Sequence, residues 1–152
     1  MTLPAGRREA SAWIDGAARG NPGEAGFGVV FEEDGDREEI LGFLGRTTNN
    51  VAEYAALVAA LTWAAERRIE KLRLHSDSQL VVRQLTGVYR VKAPHLVPIF
   101  LKVIALRRRV PAVELRHVPR EQNREADRLA NRAIDERVPI PAWLEIELPG
   151  AP

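Results

Sequence analysis

The stretch WIDGAARGNPG, residues 13–23, sets Asp15 directly behind two bulky apolar residues that belong in the interior of a strand. A carboxylate at the end of a buried strand is costly unless something compensates its charge. The glycine-rich segment that follows does not match the spacing of a phosphate-binding loop. Asp15 caps no helix, so the usual structural uses of an aspartate do not account for it.

Working outward, residues 10–16 read as a short first strand. AGFGVVFEE (25–33) and REEILGFLGRT (37–47) are two more, joined at Asp34-Gly35, a tight-hairpin signal. Glycines 26, 28, 42 and 45 within these strands suggest bulges or close backbone approach. NNVAEYAALVAALTWAAERR follows with helical period at 54, 57, 58, 61 and 65. Then come a strand at 71–77, a short helix ended by Gly87, and a helix starting near Pro94. A strand at 112–118 and a last helix complete the pattern. That helix has Ala126, Leu129, Ala130, Ala133 and Ile134 on one stripe. The order β-β-β-α-β-α-α-β-α predicts an α/β fold: a mixed five-stranded sheet flanked by helices.

The chain is expected to divide into an N-terminal extension (1–9), a main domain (10–137) and a tail (138–152) holding four of the ten prolines. The tail is expected to wrap the surface or be disordered. The length of 152 residues suits one domain with a sizeable core. There is no cysteine, which excludes disulfides, thiolate metal sites and a cysteine nucleophile. No apolar run is long enough for a membrane span, so the expectation is a soluble, cytoplasmic protein with no membrane partner. The net charge of +1 conceals an asymmetry. Residues 1–70 hold 7 basic and 12 acidic side chains, net −5; residues 71–137 hold 15 and 7, net +8. A basic half allows a polyanion to dock, although surface charge is more often simply solvated.

Three further acids stand out, each with a structural account. Glu53, three residues after Asn50, fits the completion of a helix cap; Asp77 sits where a strand gives way to a helix; Asp127 lies in a first helical turn. Placement reweights them. Strands one and four can be neighbours in such a sheet, and sites gather at strand ends where the order reverses. If the helix starts carrying Glu53 and Asp127 converge there too, four carboxylates repel unless a cation sits among them. Mg²⁺ prefers oxygen ligands, and two ions about 4 Å apart stabilise both oxygens of a phosphoryl displacement. That is nuclease chemistry.

The blocks DGAARGNPG, TTNNVAEYAAL, SDSQLVVRQL and HVPREQNREADRLAN resemble, in order and spacing, the four motifs of type 1 ribonuclease H. Each block is common alone; all four in order, in matching strand and helix context, are specific. The resemblance covers nearly residues 10–135 and implies the ribonuclease H-like fold. It implies that Asp15, Glu53, Asp77 and Asp127 hold two Mg²⁺ ions, with Mn²⁺ as an alternative. It implies cleavage of the RNA strand of RNA/DNA hybrids, leaving 5′-phosphate and 3′-hydroxyl ends; a monomer is the separate expectation for the assembly.

His117, ten residues before Asp127, has the spacing of a family histidine that moves protons or aids product release. A lone histidine at a strand end is otherwise structural, as His75 and His95 are expected to be. The resemblance also carries Asn21, Thr48, Asn49 and Gln79 onto the nucleic-acid face. Short amide and hydroxyl side chains suit the wide minor groove and 2′-hydroxyls of an A-like duplex. Turn and cap chemistry is the competing account for the asparagines. The region TGVYRVKAPHLVPIF lacks the basic protrusion of many bacterial members and resembles the subgroup without it. That leaves double-stranded RNA open as a substrate, and an inactive hybrid-binding module as a further alternative.

Overall fold

The computed structural model describes residues 8–87 and 90–148. Three long strands come first: β1 (Glu9–Gly20), β2 (Gly23–Glu33) and β3 (Asp36–Thr47). They are followed by α1 (Asn49–Glu66), β4 (Lys71–Ser76), α2 (Gln79–Leu85), α3 (Val97–Arg107), β5 (Ala112–His117) and α4 (Arg124–Asp135). The sheet order is β3-β2-β1-β4-β5, antiparallel through the first three strands and parallel from β1 to β5. The predicted α/β architecture and element order are thus present. Among the described residues no helix is long and apolar enough to cross a membrane.

Two local features follow directly from the sequence. Asp34 and Gly35, both at positive φ (51° and 83°), make the two-residue turn between Glu33 and Asp36. Gly45, also at positive φ, lies opposite the register shift at Ala25/Gly26, a bulge in the β2–β3 ladder.

Other boundaries differ from the expectation. β1 does not end near Asp15 but runs on to Gly20, because its second half stays paired with β2 up to the Asn21-Pro22 turn. α3 begins at Val97 rather than near Pro94; residues 94–96 form a turn, and Pro98 sits in the first helical turn where its missing N–H costs nothing. α1 is capped by Thr48, whose hydroxyl accepts from Val51 N (3.2 Å), not by Asn50. α2 is capped by Ser78, not Asp77. Glu53 and Asp77 are therefore released from the capping roles that would have explained them.

α1 is buried on nearly every side rather than along one stripe. Its alanines at 52, 55, 56, 59 and 60 keep it slim, so it fits between the sheet and α3. α4 packs on the opposite sheet face, across β1, β2 and β3. Residues 138–148 carry no regular element, yet Val138 O accepts from Phe43 N at 2.7 Å and Leu144 is buried.

Candidate active site

The β1–β4 ladder ends at the Ile14–Ser76 rung. Asp15 and Asp77 are each the next residue along, so the two carboxylates emerge side by side where the central parallel pair stops. Asp15 remains paired on its other flank with Gly28 of β2. Glu53 comes from the second turn of α1, which approaches β1 unusually closely. A Cβ on Gly16 would lie 2.3 Å from the Ala52 carbonyl carbon and the Glu53 nitrogen, so only glycine fits beside Asp15.

These elements bring ligand oxygens of Asp15, Glu53 and Asp77 within 4.8 Å of one another. Asp15 is 5% exposed and Glu53 7%, while Asp77 is half-buried. Burial first, then the Glu53 charge, pushes the Asp15 carboxyl far above the ordinary carboxylate range; a hydrogen bond shared with Asp127 adds to this. Glu53 is also raised, by burial and then by the Asp77 charge, against the lowering effect of hydrogen bonds from Asp15 and the Gly16 N–H. Asp127 thus leans on Asp15 from α4 and completes a group of four acids, although it lies outside the tight trio.

The donor set fits a hard divalent cation. It is all oxygen, and Glu53 Oε2 is buried without any hydrogen-bond partner. A protein seldom leaves a buried carboxylate oxygen unpaired unless a ligand uses it.

His117 stands at the end of β5, exposed, with its Nε2 3.3 Å from the Asp77 backbone carbonyl. A carbonyl only accepts, so Nε2 carries the proton and Nδ1 is left open. His75 is structural: its Nδ1 donates to Ala12 O at 3.1 Å and its ring stacks on Trp13 at 4.6 Å. The expected groove residues lie around the same edge. Asn21 Oδ1 accepts from Asn49 N at 3.2 Å, tying the β1–β2 turn to the start of α1, and both residues are exposed. Gln79 is the exposed first residue of α2. Thr48 is half-buried and its hydroxyl caps α1. Arg109, by contrast, pairs with Glu66 at the far end of α1 from Glu53. Thirteen residues of helix put the two roughly 20 Å apart.

The sequence reading missed Asn123. It is 1% exposed, and its Nδ2 donates to Ile14 O at 2.8 Å, the carbonyl just before Asp15. Its backbone carbonyl accepts from Asp127 N at 3.1 Å, in the first helical hydrogen bond of α4. One residue therefore spaces two acids that lie far apart in the chain. Its place ahead of a helix reads in sequence as an ordinary cap, which hides the clamp.

Comparison with known proteins matches residues 14–133 to the reverse transcriptase-like family. A ribonuclease H from Methylococcus capsulatus is 36% identical over 141 residues, covering 82% of this chain and 88% of that protein. A bifunctional protein of Mycobacterium tuberculosis is 41% identical over 125 residues; the match covers 80% of this chain but only 34% of the mycobacterial protein's length. Among solved structures, LC11-RNase H1 in complex with an RNA/DNA hybrid superposes with a TM-score of 0.78 at 42% identity. That match covers 84% of this chain and 97% of the other.

Proposed function

Because the chain belongs to the ribonuclease H family, we propose that it is a divalent-metal-dependent endonuclease cutting the RNA strand of RNA/DNA hybrids. The observation that carries this reading is the close trio of Asp15, Glu53 and half-buried Asp77, with its orphaned Glu53 oxygen. The hybrid bound to the similar LC11 enzyme supports the choice of substrate.

Asp15, Glu53, Asp77 and Asp127 would hold two Mg²⁺ ions, or Mn²⁺. Bound there, the metal supplies activation of water and stabilisation of charge on the phosphoryl oxygens. The protein does the rest by positioning. Gly16 and Asn123 fix the spacing of the carboxylates. His117, with Nε2 committed to Asp77 O, offers Nδ1 to exchange the proton that the leaving 3′-oxygen requires. Asn21, Asn49, Thr48 and Gln79 border the groove where 2′-hydroxyls and backbone would be read without regard to base sequence. The expected setting is a cytoplasmic monomer.

The test is cleavage of an end-labelled hybrid with Mg²⁺ by the wild type and by Asp77→Asn. The expected result is metal-dependent cuts bearing 5′-phosphates, lost in the variant. Equal cutting by both proteins, or by neither, refutes the proposal. A parallel digest of double-stranded RNA decides between the two duplexes, and hybrid binding without turnover would establish the inactive module instead.

A further inference from the structure

Asn131 lies one helical turn after Asp127 on α4 and is half-buried. Its Nδ2 donates to the Asp127 backbone carbonyl at 3.0 Å and to Asp127 Oδ1 at 3.4 Å. The other end of the amide, Oδ1, accepts from Arg19 Nη2 at 3.4 Å. Arg19 is itself held by Asp135, whose Oδ1 accepts from Nη1 at 2.6 Å. Asp127, Asn131 and Asp135 are spaced four residues apart and share one face of α4. Arg19 stands four residues beyond Asp15 on β1, on the same face of the strand.

Arginine has donors and no acceptor, so the side of the Asn131 amide facing Arg19 must be its oxygen. The NH₂ is thereby turned onto Asp127. We infer that Arg19 and Asn131 form a relay that positions the Asp127 carboxylate toward Asp15, with Asn131 as the positioning residue that sets affinity for the divalent ion.

The inference rests on the metal-dependent reading above and adds residues to it. Asp127 is the acid that lies outside the tight trio, and it sits on a helix docked from the opposite sheet face, so it needs an outside partner to fix its rotamer. A neutral amide suits the task, because it orients the carboxylate without neutralising the charge a cation requires. Arg19 stays one residue further out, with Asp135 facing its charge. Outer-shell partners of this kind typically change metal affinity by about 10- to 100-fold.

The experiment titrates Mn²⁺ alone, by calorimetry, into the wild type, Asn131→Ala, Asn131→Gln, Arg19→Met and the Arg19→Met/Asn131→Ala double variant. Hybrid cleavage is then measured against Mg²⁺ concentration. Asn131→Ala should weaken Mn²⁺ binding on the order of tenfold. It should raise the Mg²⁺ needed for half-maximal cleavage and leave KM for the hybrid unchanged at saturating metal. Asn131→Gln, which keeps a donor, should retain most of the affinity. Arg19→Met should cost less and add nothing to Asn131→Ala, as expected of two residues in one relay. An Asn131→Ala isotherm that overlays the wild type overturns the inference. So does a loss confined to KM, which would make Asn131 a nucleic-acid contact. Absence of any Mn²⁺ binding by the wild type overturns the metal reading itself and this inference with it.

Discussion

Asp15 is a carboxylate held in the buried end of a central strand. Burial, the Glu53 charge and the hydrogen bond with Asp127 raise its folded pKa, so the neutral form is favoured in the native state. A raised folded value gives stability that is fully present below the unfolded carboxylate pKa and is lost as pH rises through the folded one. At pH 8 the metal-free protein is therefore destabilised relative to an uncharged isostere. Asp15→Asn should raise its thermal midpoint at pH 8 by an amount worth about 1–3 kcal/mol, and the gain should vanish near pH 4. Added Mg²⁺ should stabilise the wild type and not the variant; melts at both pH values, with and without metal, check this. A variant no more stable than the wild type at pH 8 would mean that Asp15 is already compensated. At the same edge, His117→Ala should lower kcat on the order of 100-fold with KM for the hybrid little changed, if the open Nδ1 exchanges a proton with the substrate. A loss in KM alone would reassign His117 to substrate binding.

The elements converge on this edge through close approaches as much as through apolar pattern. α4 lies against β2 at two glycines. A Cβ on Gly28 would meet the Ala126 carbonyl oxygen and the Leu129 Cβ at 2.6 Å, and one on Gly26 the Ala130 carbonyl oxygen at 2.8 Å. Gly28→Ala should push α4 outward, costing about 1–3 kcal/mol. Because Asp127 rides on that helix, cleavage should fall further than the stability loss explains. Chemical denaturation and kcat on the same preparation compare the two, and full activity in a destabilised variant would detach Asp127 from catalysis. The period-2 and period-3.6 patterns made the elements and their order legible in the sequence, and the motif blocks located the four acids. The sequence showed where glycines interrupt strands but not what approaches them, since that depends on residues some 100 positions away. Asn123 and Asn131 escaped notice for the same reason: an asparagine beside a helix reads locally as a cap or a solvated residue. The end of β1 was misplaced because a charge after apolar residues looks like a boundary, whereas the β2 pairing carries the strand past it.

At the scale of the molecule, the charge asymmetry seen along the chain is partly cancelled by folding. Arg73–Glu9, Arg37–Glu125, Arg109–Glu66, Arg128–Glu39 and Arg137–Glu24 are ion pairs that join segments of opposite sign or distant position. Such exposed pairs contribute little stability each, so cohesion between distant segments must come from buried apolar contacts. The tail supplies some of these. After Val138 pairs with Phe43, Ile140 reaches Gly42, Leu144 joins the core that includes Ile99 of α3, and Lys102 Nζ donates to the Glu145 carbonyl. Trp143 stands beside Trp63, Glu66 and Arg67 at the C-terminal end of α1. The carboxylates gather at the opposite end of that helix, roughly 20 Å away by helical rise. The described residues of the tail, 138–148, therefore brace the α1–α3 layer away from the site. Leu144, 6% exposed, should cost about 2–3 kcal/mol as Leu144→Ala, lowering the thermal midpoint while hybrid cleavage per folded molecule at 25 °C holds. Leu148, 36% exposed, is the control, and Leu148→Ala should change neither quantity. If Leu144→Ala instead lost cleavage with an unchanged melt, the tail would belong to the duplex interface and its bracing role would be wrong.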